Sequence, residues 1–295
     1  MALTDKDFLK RLHRVSLLTR RVGESPFLQA RRQWLPGGGT EVTSLRDYAP
    51  GDNPGHIDWN ICSRRDELLT KQFEGDLDPR TYVLVDCSAS MAGAKFDVAR
   101  RLAALLGFLA LDRGDRVTLA GFTGGLVGET APICHRSRMI AMLRFLDQLE
   151  ATDQPTDLRR AADAFCARLR RPGPVVVISD LLDPAGFEGA FDILLRHGHQ
   201  PRLVQPFEPV EANPELSGDV QLVDRETGQS RRVTVTAAAA AEYRRVFARW
   251  LTSVREYCTH RAMRYLQIAT DAAEDDLIRT ILRGENWVDR KHVRA

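Results

Sequence analysis

From residue 80 onward the chain alternates short apolar runs with amphipathic stretches, and this rhythm restricts the possible folds more than any other feature. Tyr82-Val-Leu-Val-Asp86, Arg116-Val-Thr-Leu-Ala-Gly-Phe122, Pro174-Val-Val-Val-Ile-Ser179 and Arg202-Leu-Val-Gln-Pro-Phe207 have strand length. They are largely apolar, and Pro174–Ser179 is the most apolar of all, the pattern of strands covered on both faces. Lys95 to Arg113 (stopped by Gly114), Arg136 to Leu149, Asp157 to Arg171 and Phe187 to His197 read as the intervening helices, and Leu126 to Ile133 as an edge strand. Such alternation predicts an α/β fold, a mostly parallel sheet with helices on both faces. Val220–Val223 and Arg232–Val235 then flank a polar loop and read as a hairpin. Thr236 is placed to cap a helix that starts in the run Ala237–Ala241 and continues to about His260, alanine being the best helix former. Met263 to Ile268 and Glu274 to Leu282 are the last strand and helix.

The first 77 residues read differently. Leu3 to Val22 places Phe8, Leu12, Val15 and Val22 on one helical stripe with Arg11, Arg14 and Arg21 away from it. Pro36-Gly37-Gly38-Gly39 then breaks the chain, and residues 40–77 suggest short strands and turns. The expected organisation is an N-terminal segment, 1–77, packed on an α/β domain, 78–285, with a tail at 286–295.

Charge and composition exclude several classes. Lys and Arg number 42 against 40 Asp and Glu in 295 residues, a balance unsuited to a protein built to coat nucleic acid. Residues 1–35 carry eight Lys/Arg and three acids. That bias reads first as a solvated helix face, and second as a docking surface for an acidic partner or for peripheral membrane contact through residues 3–22. The longest apolar run, Leu102 to Leu111, is half of the roughly 20 residues a spanning helix needs. The first residues lack a basic stretch followed by an apolar core, so no secretory signal is expected. Cys62, Cys87, Cys134, Cys166 and Cys258 form no CxxC and no zinc spacing, so reduced thiols in a cytoplasmic protein are expected.

The chemistry concentrates where strands end. Asp86, Ser88 and Ser90 follow the first core strand at alternate positions, Thr156-Asp157 precedes a helix, and Asp180 follows the strand Val175–Ser179. In parallel α/β sheets ligands bind at the carboxyl ends of strands, and carboxylate and hydroxyl oxygens suit Mg²⁺ or Mn²⁺ with water completing the octahedron. Taken singly, Thr156 and Asp180 read as helix caps. Together with Asp86 the three sites point to a metal.

Asp86-x-Ser88-x-Ser90, Thr156 and Asp180 resemble the metal-ion-dependent adhesion site of a von Willebrand factor A domain. Leu45-Arg-Asp-Tyr-Ala-Pro50-Gly51-Asp52, Ile57-Asp58-Trp59 and Lys71-Gln72-Phe73-Glu74 resemble the signature that DUF58 proteins carry just before such a domain. The resemblance covers essentially the whole chain. It implies a von Willebrand A-like, Rossmann-like sheet with an N-terminal helix and short-strand extension. It also implies a non-enzymatic interaction module acting beside an AAA+ ATPase of the MoxR type in chaperone-like assembly or activation of other proteins. In this family picture the metal is not catalytic. Asp86, Ser88, Ser90 and Thr156 contact it directly or through water, Asp180 does so through water, and an Asp or Glu of a partner or client completes the shell. The sequence departs from the family pattern at His56, at Cys62-Ser63-Arg64 and at Pro155, which stands where a glycine often precedes the metal threonine. Of the signature residues Arg46, Tyr48, Gly51, Asp52, Asp58, Trp59 and Arg64, a buried Asp58–Arg64 pair beside Trp59 is the expected structural core. A partner surface is the alternative, since Trp and Arg are hot-spot residues.

A rival reading makes Asp86 the nucleophile of a haloacid-dehalogenase-like, metal-dependent phosphatase, with Asp180 and Asp183 on the metal and Lys95 on phosphate. That chemistry needs a second acid two residues after the nucleophile, where this chain has Ser88. Gly121-Phe-Thr-Gly124-Gly125-Leu-Val-Gly128 lies between two strands rather than opening a helix, so it reads as a hairpin turn and not a nucleotide loop.

Overall fold

The computed structural model describes residues 3–22, 41–48, 57–65, 68–74, 79–214, 216–225 and 228–283. In chain order the elements are α1 (Lys6–Val22), β1 (Glu41–Asp47), α2 (Trp59–Arg65), β2 (Leu69–Glu74), β3 (Arg80–Asp86), α3 (Ala94–Asp112), β4 (Arg116–Phe122) and β5 (Leu126–Glu129). There follow α4 (Met139–Gln148), α5 (Leu158–Arg168), β6 (Pro174–Ile178), α6 (Glu188–Arg196), β7 (Gln200–Phe207) and the single turn α7 (Pro209–Ala212). The hairpin β8 (Gly218–Val223) and β9 (Ser230–Val235), then α8 (Ala237–His260), β10 (Arg264–Ala269) and α9 (Glu274–Arg283), complete the chain. Residues 1–29 and 80–295 form one compact unit and residues 30–79 another.

The first unit is built on a six-stranded sheet of order β10-β7-β6-β3-β4-β5. Its strands are parallel except β5, which runs antiparallel to β4. Alternate residues of one strand enter opposite cores. Val83 and Val85 of β3 join the core under α1, α3, α4 and α9, whereas Tyr82 and Leu84 join the core under α5, α6 and α8. Burial on both faces is why these strands read as near-continuous apolar runs. It also places β3 and β6, side by side at the middle of the sheet, with their carboxyl ends together.

Helix α1 belongs to this unit, which separates it from the rest of residues 1–77. Leu3, Phe8, Leu12 and Val15 are buried in the shared core. The Leu3 amide donates to Asp147 Oδ1 at 2.9 Å and Ser16 Oγ to Asp112 Oδ2 at 2.7 Å. Phe8, Leu12 and Val15 of the apolar stripe are therefore buried as its period suggests, the side chain of Val22 lies outside the described residues, and Lys10 stays exposed and pairs with Asp7 at 3.1 Å.

Four elements differ from expectation. Strand β5 stops at Glu129, and Ile133 instead makes an isolated bridge to Val117. The run Arg136–Leu149 opens as a 3₁₀ turn at Arg136–Arg138 before α4 begins. The short helices α2 and α7 were not legible at all, since too few residues carry a period. In the 30–79 unit β1 and β2 pair antiparallel, with Ile57 bridging to Thr70.

Candidate functional site

Asp86 ends β3 and is fully buried, with both carboxylate oxygens engaged. Oδ1 accepts the Ser88 amide at 2.9 Å, and Oδ2 accepts the Ser179 hydroxyl at 2.7 Å. Ser88 Oγ lies 3.1 Å from Ser90 Oγ, and Ser90 Oγ donates to Asp180 Oδ1 at 3.2 Å. The loop after β3 and the loop after β6 are thus joined through a buried row of hydroxyls between two carboxylates. Lys95, in the first turn of α3, donates to Asp180 Oδ2 at 2.7 Å and to Glu211 Oε1 of α7 at 2.7 Å.

Backbone bonds hold these loops in place. Cys87 donates to Phe122 O at 2.8 Å and its carbonyl accepts the Thr152 amide at 2.7 Å. The Ala89 amide reaches Gln154 O at 3.2 Å. The loop 151–157 is therefore bonded to the Asp86 loop, and Thr156, within it, is buried. Asp183 ties the third loop in, accepting the Leu158 amide through Oδ2 and the Ala185 amide through Oδ1, each at 2.8 Å. Gly93 makes the exit into α3 with φ +89°, a backbone that favours glycine. Leu181, buried beside Asp180, has φ +63°. A branched residue there costs about 1–3 kcal/mol, and such strain gathers at functional loops.

The cap readings fall away. Asp157, not Thr156, caps α5, accepting the Arg160 amide at 2.8 Å. Asp180 caps no helix, because α6 begins only at Glu188. It closes a local turn with the Leu182 amide at 3.2 Å, while Gln205 Nε2 holds its backbone carbonyl at 3.2 Å.

The electrostatics are those of a crowded acidic pocket. Burial, then the Asp180 carboxylate, push the Asp86 carboxyl up from 3.8 to about 7, against the hydrogen bonds from Ser179 and Ser88. Lys95 moves up as well. Burial works against its charge, but Asp180 and Glu211 outweigh it. Cys87, behind the loop, is pushed up to about 12 by burial and by Asp86, so it is an inert thiol. Asp86, Ser88, Ser90, Ser179 and Asp180 present only oxygen, the donor type that Mg²⁺ and Mn²⁺ prefer. No cluster of three or more His, Cys, Asp or Glu side chains fit to cage a metal occurs among the described residues. An ion held here would therefore depend on hydroxyls and water.

Sequence reasoning missed Ser179, Gln205 and Glu211 at this site, and placed Lys95 only in the phosphatase reading. Ser179 had a signal, being a hydroxyl at the end of the most apolar strand. Glu211 had none, because only the fold brings α7 to α3.

The signature residues lie elsewhere. Gly51 and Asp52 fall outside the described residues, as do the side chains of Arg46 and Arg64 and hence the Asp58–Arg64 pair. Asp58 opens α2, its Oδ1 accepting the Ile61 amide at 3.3 Å. The Tyr48 amide bonds Leu68 O at 2.8 Å. Trp59, expected beside a buried ion pair, is 62% exposed.

Residues 44–256 match the family described as Protein of unknown function DUF58. The uncharacterized protein Rv1480 of Mycobacterium tuberculosis is 28% identical over 221 residues, covering 72% of this chain and 69% of that protein. YeaD of Bacillus subtilis is 37% identical over 51 residues, 17% of this chain and 13% of that protein. Among solved structures, BatB from Bacteroides thetaiotaomicron aligns at TM-score 0.42 and 15% identity, over 74% of this chain and 100% of that one. With the family match running through most of its length, from β1 to α8, the chain belongs to the DUF58 family.

Proposed function

We propose that the protein is a non-enzymatic, divalent-cation-dependent interaction module of von Willebrand A type. The observation that carries this reading is the buried bridge Asp86–Ser88–Ser90–Asp180 between two adjacent strand ends, with Asp86 driven toward neutrality by burial and then by the Asp180 carboxylate. Asp86, Ser88, Ser90, Thr156 and Asp180 would hold Mg²⁺ or Mn²⁺. The bound ion would supply a positive centre able to attract a carboxylate from outside. Ser179 orients Asp86, and Gln205 orients the Asp180 peptide. Leu182 and Val210, 44% and 54% exposed beside Asp180 and Glu211, offer an apolar rim to whatever presents that carboxylate.

By the family resemblance, the partner would be an AAA+ ATPase of the MoxR type, or a client that such a pair assembles or activates, in the cytoplasm. The phosphatase reading is the weaker one. Ser88 stands where it needs an acid, and Lys95, its phosphate clamp, is engaged by two carboxylates. No helix among the described residues is long and apolar enough to cross a membrane.

Calorimetric titration and thermal melting with MgCl2, MnCl2 and EDTA test the reading. Metal at 100 times its dissociation constant should stabilise the fold by about 2.7 kcal/mol. Asp86→Ala should abolish the shift. Wild-type protein with no metal-dependent shift under any of these conditions would overturn the proposal.

A further inference from the structure

We propose that Lys95 is a built-in cation that competes with the divalent ion for Asp180 and passes the ion's arrival to α7 and α8. This rests on the metal reading above and names how that site is regulated. The Lys95 side chain is almost wholly buried, and its ammonium is divided between two carboxylates at equal distance, 2.7 Å to Asp180 and 2.7 Å to Glu211. Asp180 belongs to the metal pocket. Glu211 does not, and is the more solvent-accessible of the two.

Metal-free, Lys95 neutralises a buried carboxylate that would otherwise be costly to keep charged. A dication among Asp86, Ser88 and Ser90 supplies positive charge to the same Asp180 group and repels the ammonium. A four-carbon stem lets Lys95 lean toward its other partner. Glu211 is placed to relay that change. Its Oε2 accepts the Glu208 amide at 2.9 Å, which caps α7, and its backbone carbonyl accepts the Tyr243 hydroxyl of α8 at 2.8 Å. The hairpin that joins α7 to α8 also touches the segment that leads from Ser90 into α3, where Arg225 donates to Ala92 O at 3.0 Å.

Residues 237–249 of α8 are exposed except for the half-buried Ala240 and Phe247. The helix is seated by Val254 and Cys258 near its other end. Its first half is tied to the α7 segment by the Tyr243–Glu211 and Arg244–Asn213 bonds, and a partner that holds it changes ion affinity by the reciprocal factor.

Titration of the full chain with MnCl2 and MgCl2, using wild type, Lys95→Met, Lys95→Arg, Glu211→Gln and Asp86→Ala, tests the proposal. Lys95→Met should bind the ion about tenfold tighter or more, and Lys95→Arg no tighter than wild type. Glu211→Gln, which leaves Asp180 as the one charged partner of the two, should bind it more weakly. Hydrogen exchange over residues 208–213 and 236–243 should change with Mn²⁺ in wild type and not in Lys95→Met. A simple charge effect at the pocket would reproduce the affinities but not the exchange. If Lys95→Met does not fold, Glu211→Gln and the wild-type exchange decide. Wild type that binds ion with unchanged affinity in Lys95→Met or Glu211→Gln, or with no exchange response, overturns the inference and leaves the metal reading standing. Wild type and Lys95→Met both failing to bind ion overturns the two together. Ion binding by Lys95→Met alone overturns the two together as well, since the wild-type protein then has no ion to answer to.

Discussion

The two edges of the central sheet carry opposite charge. At the carboxyl edge Asp86 and Asp180 crowd together with one internal cation, Lys95. At the amino edge Arg80 stands in register with Arg116, and Arg202 with Arg264. There a buried acid, Asp115, accepts from Thr81 at 2.6 Å and from Arg113 at 2.7 Å. Each edge disfavours the ionisation of one buried group. Burial, with Arg113 and Arg264, pulls Arg202 down to about 10, and burial with Asp180 pushes Asp86 up to about 7. The consequences differ because the ordinary values differ. Arg202 stays charged at neutral pH, so the charge of the amino edge does not hang on a further ion. Asp86 sits at the point of balance, and whether it carries charge depends on what cation comes near. The same physics produces a structural edge at one end and a responsive one at the other.

The largest effect should come from breaking the amino edge. Asp115→Ala removes the buried acid among several guanidinium groups and should destabilise the fold by about 3 kcal/mol or more. Chemical denaturation measures this, and the metal-dependent shift of the refolded variant should remain. Loss of that shift would mean the two edges are not independent.

Next is Asp86→Ala, which should erase the stabilisation of about 2.7 kcal/mol that metal at 100 times its dissociation constant provides. Melting curves with MnCl2 and with EDTA should then superimpose.

A third prediction concerns pH. Folded, metal-free protein keeps a proton on Asp86 up to about 7, whereas the unfolded chain loses it near 3.8. The Asp86 contribution to stability therefore falls as pH rises through that window and is level above it. The ion needs the carboxylate, so metal affinity rises over the same window by up to about tenfold per pH unit. Melts in EDTA and calorimetry at stepped pH read the two trends. Parallel rather than opposite slopes would remove Asp86 as their source.

The smallest effect should be Trp59→Ala. At 62% exposure its loss should cost within about 0.5 kcal/mol, with the metal shift intact. A folded variant that loses an identified partner would assign Trp59 to binding. A strongly destabilised one would make it structural instead.

Much of the fold was legible because its signals are local. The runs at Arg116–Phe122 and Pro174–Ile178, the cap at Thr236 and the stop at His260 each reside within a few neighbouring residues. Elements without a period were not legible. Helix α7 spans four residues, and its capping box depends on Glu208 and Glu211 finding each other. Within the site, Asp86, Ser88 and Ser90 were readable because one loop supplies all three. Ser179 and Glu211 were not, because their roles exist only relative to Asp86 and Lys95.

By itself, then, the sequence determined which segments become strands, that the sheet is buried on both faces, and that acids and hydroxyls fall at its carboxyl edge. Residue type and period settle those points within a few turns of chain. Tertiary structure alone decided that Ser179 holds Asp86, that Lys95 is divided between Asp180 and Glu211, and that Asp157 rather than Thr156 caps α5. These depend on groups up to 116 positions apart in the chain. A pKa or an ion pair is set by distance in space and by exclusion of water, and neither is written in the spacing of residues.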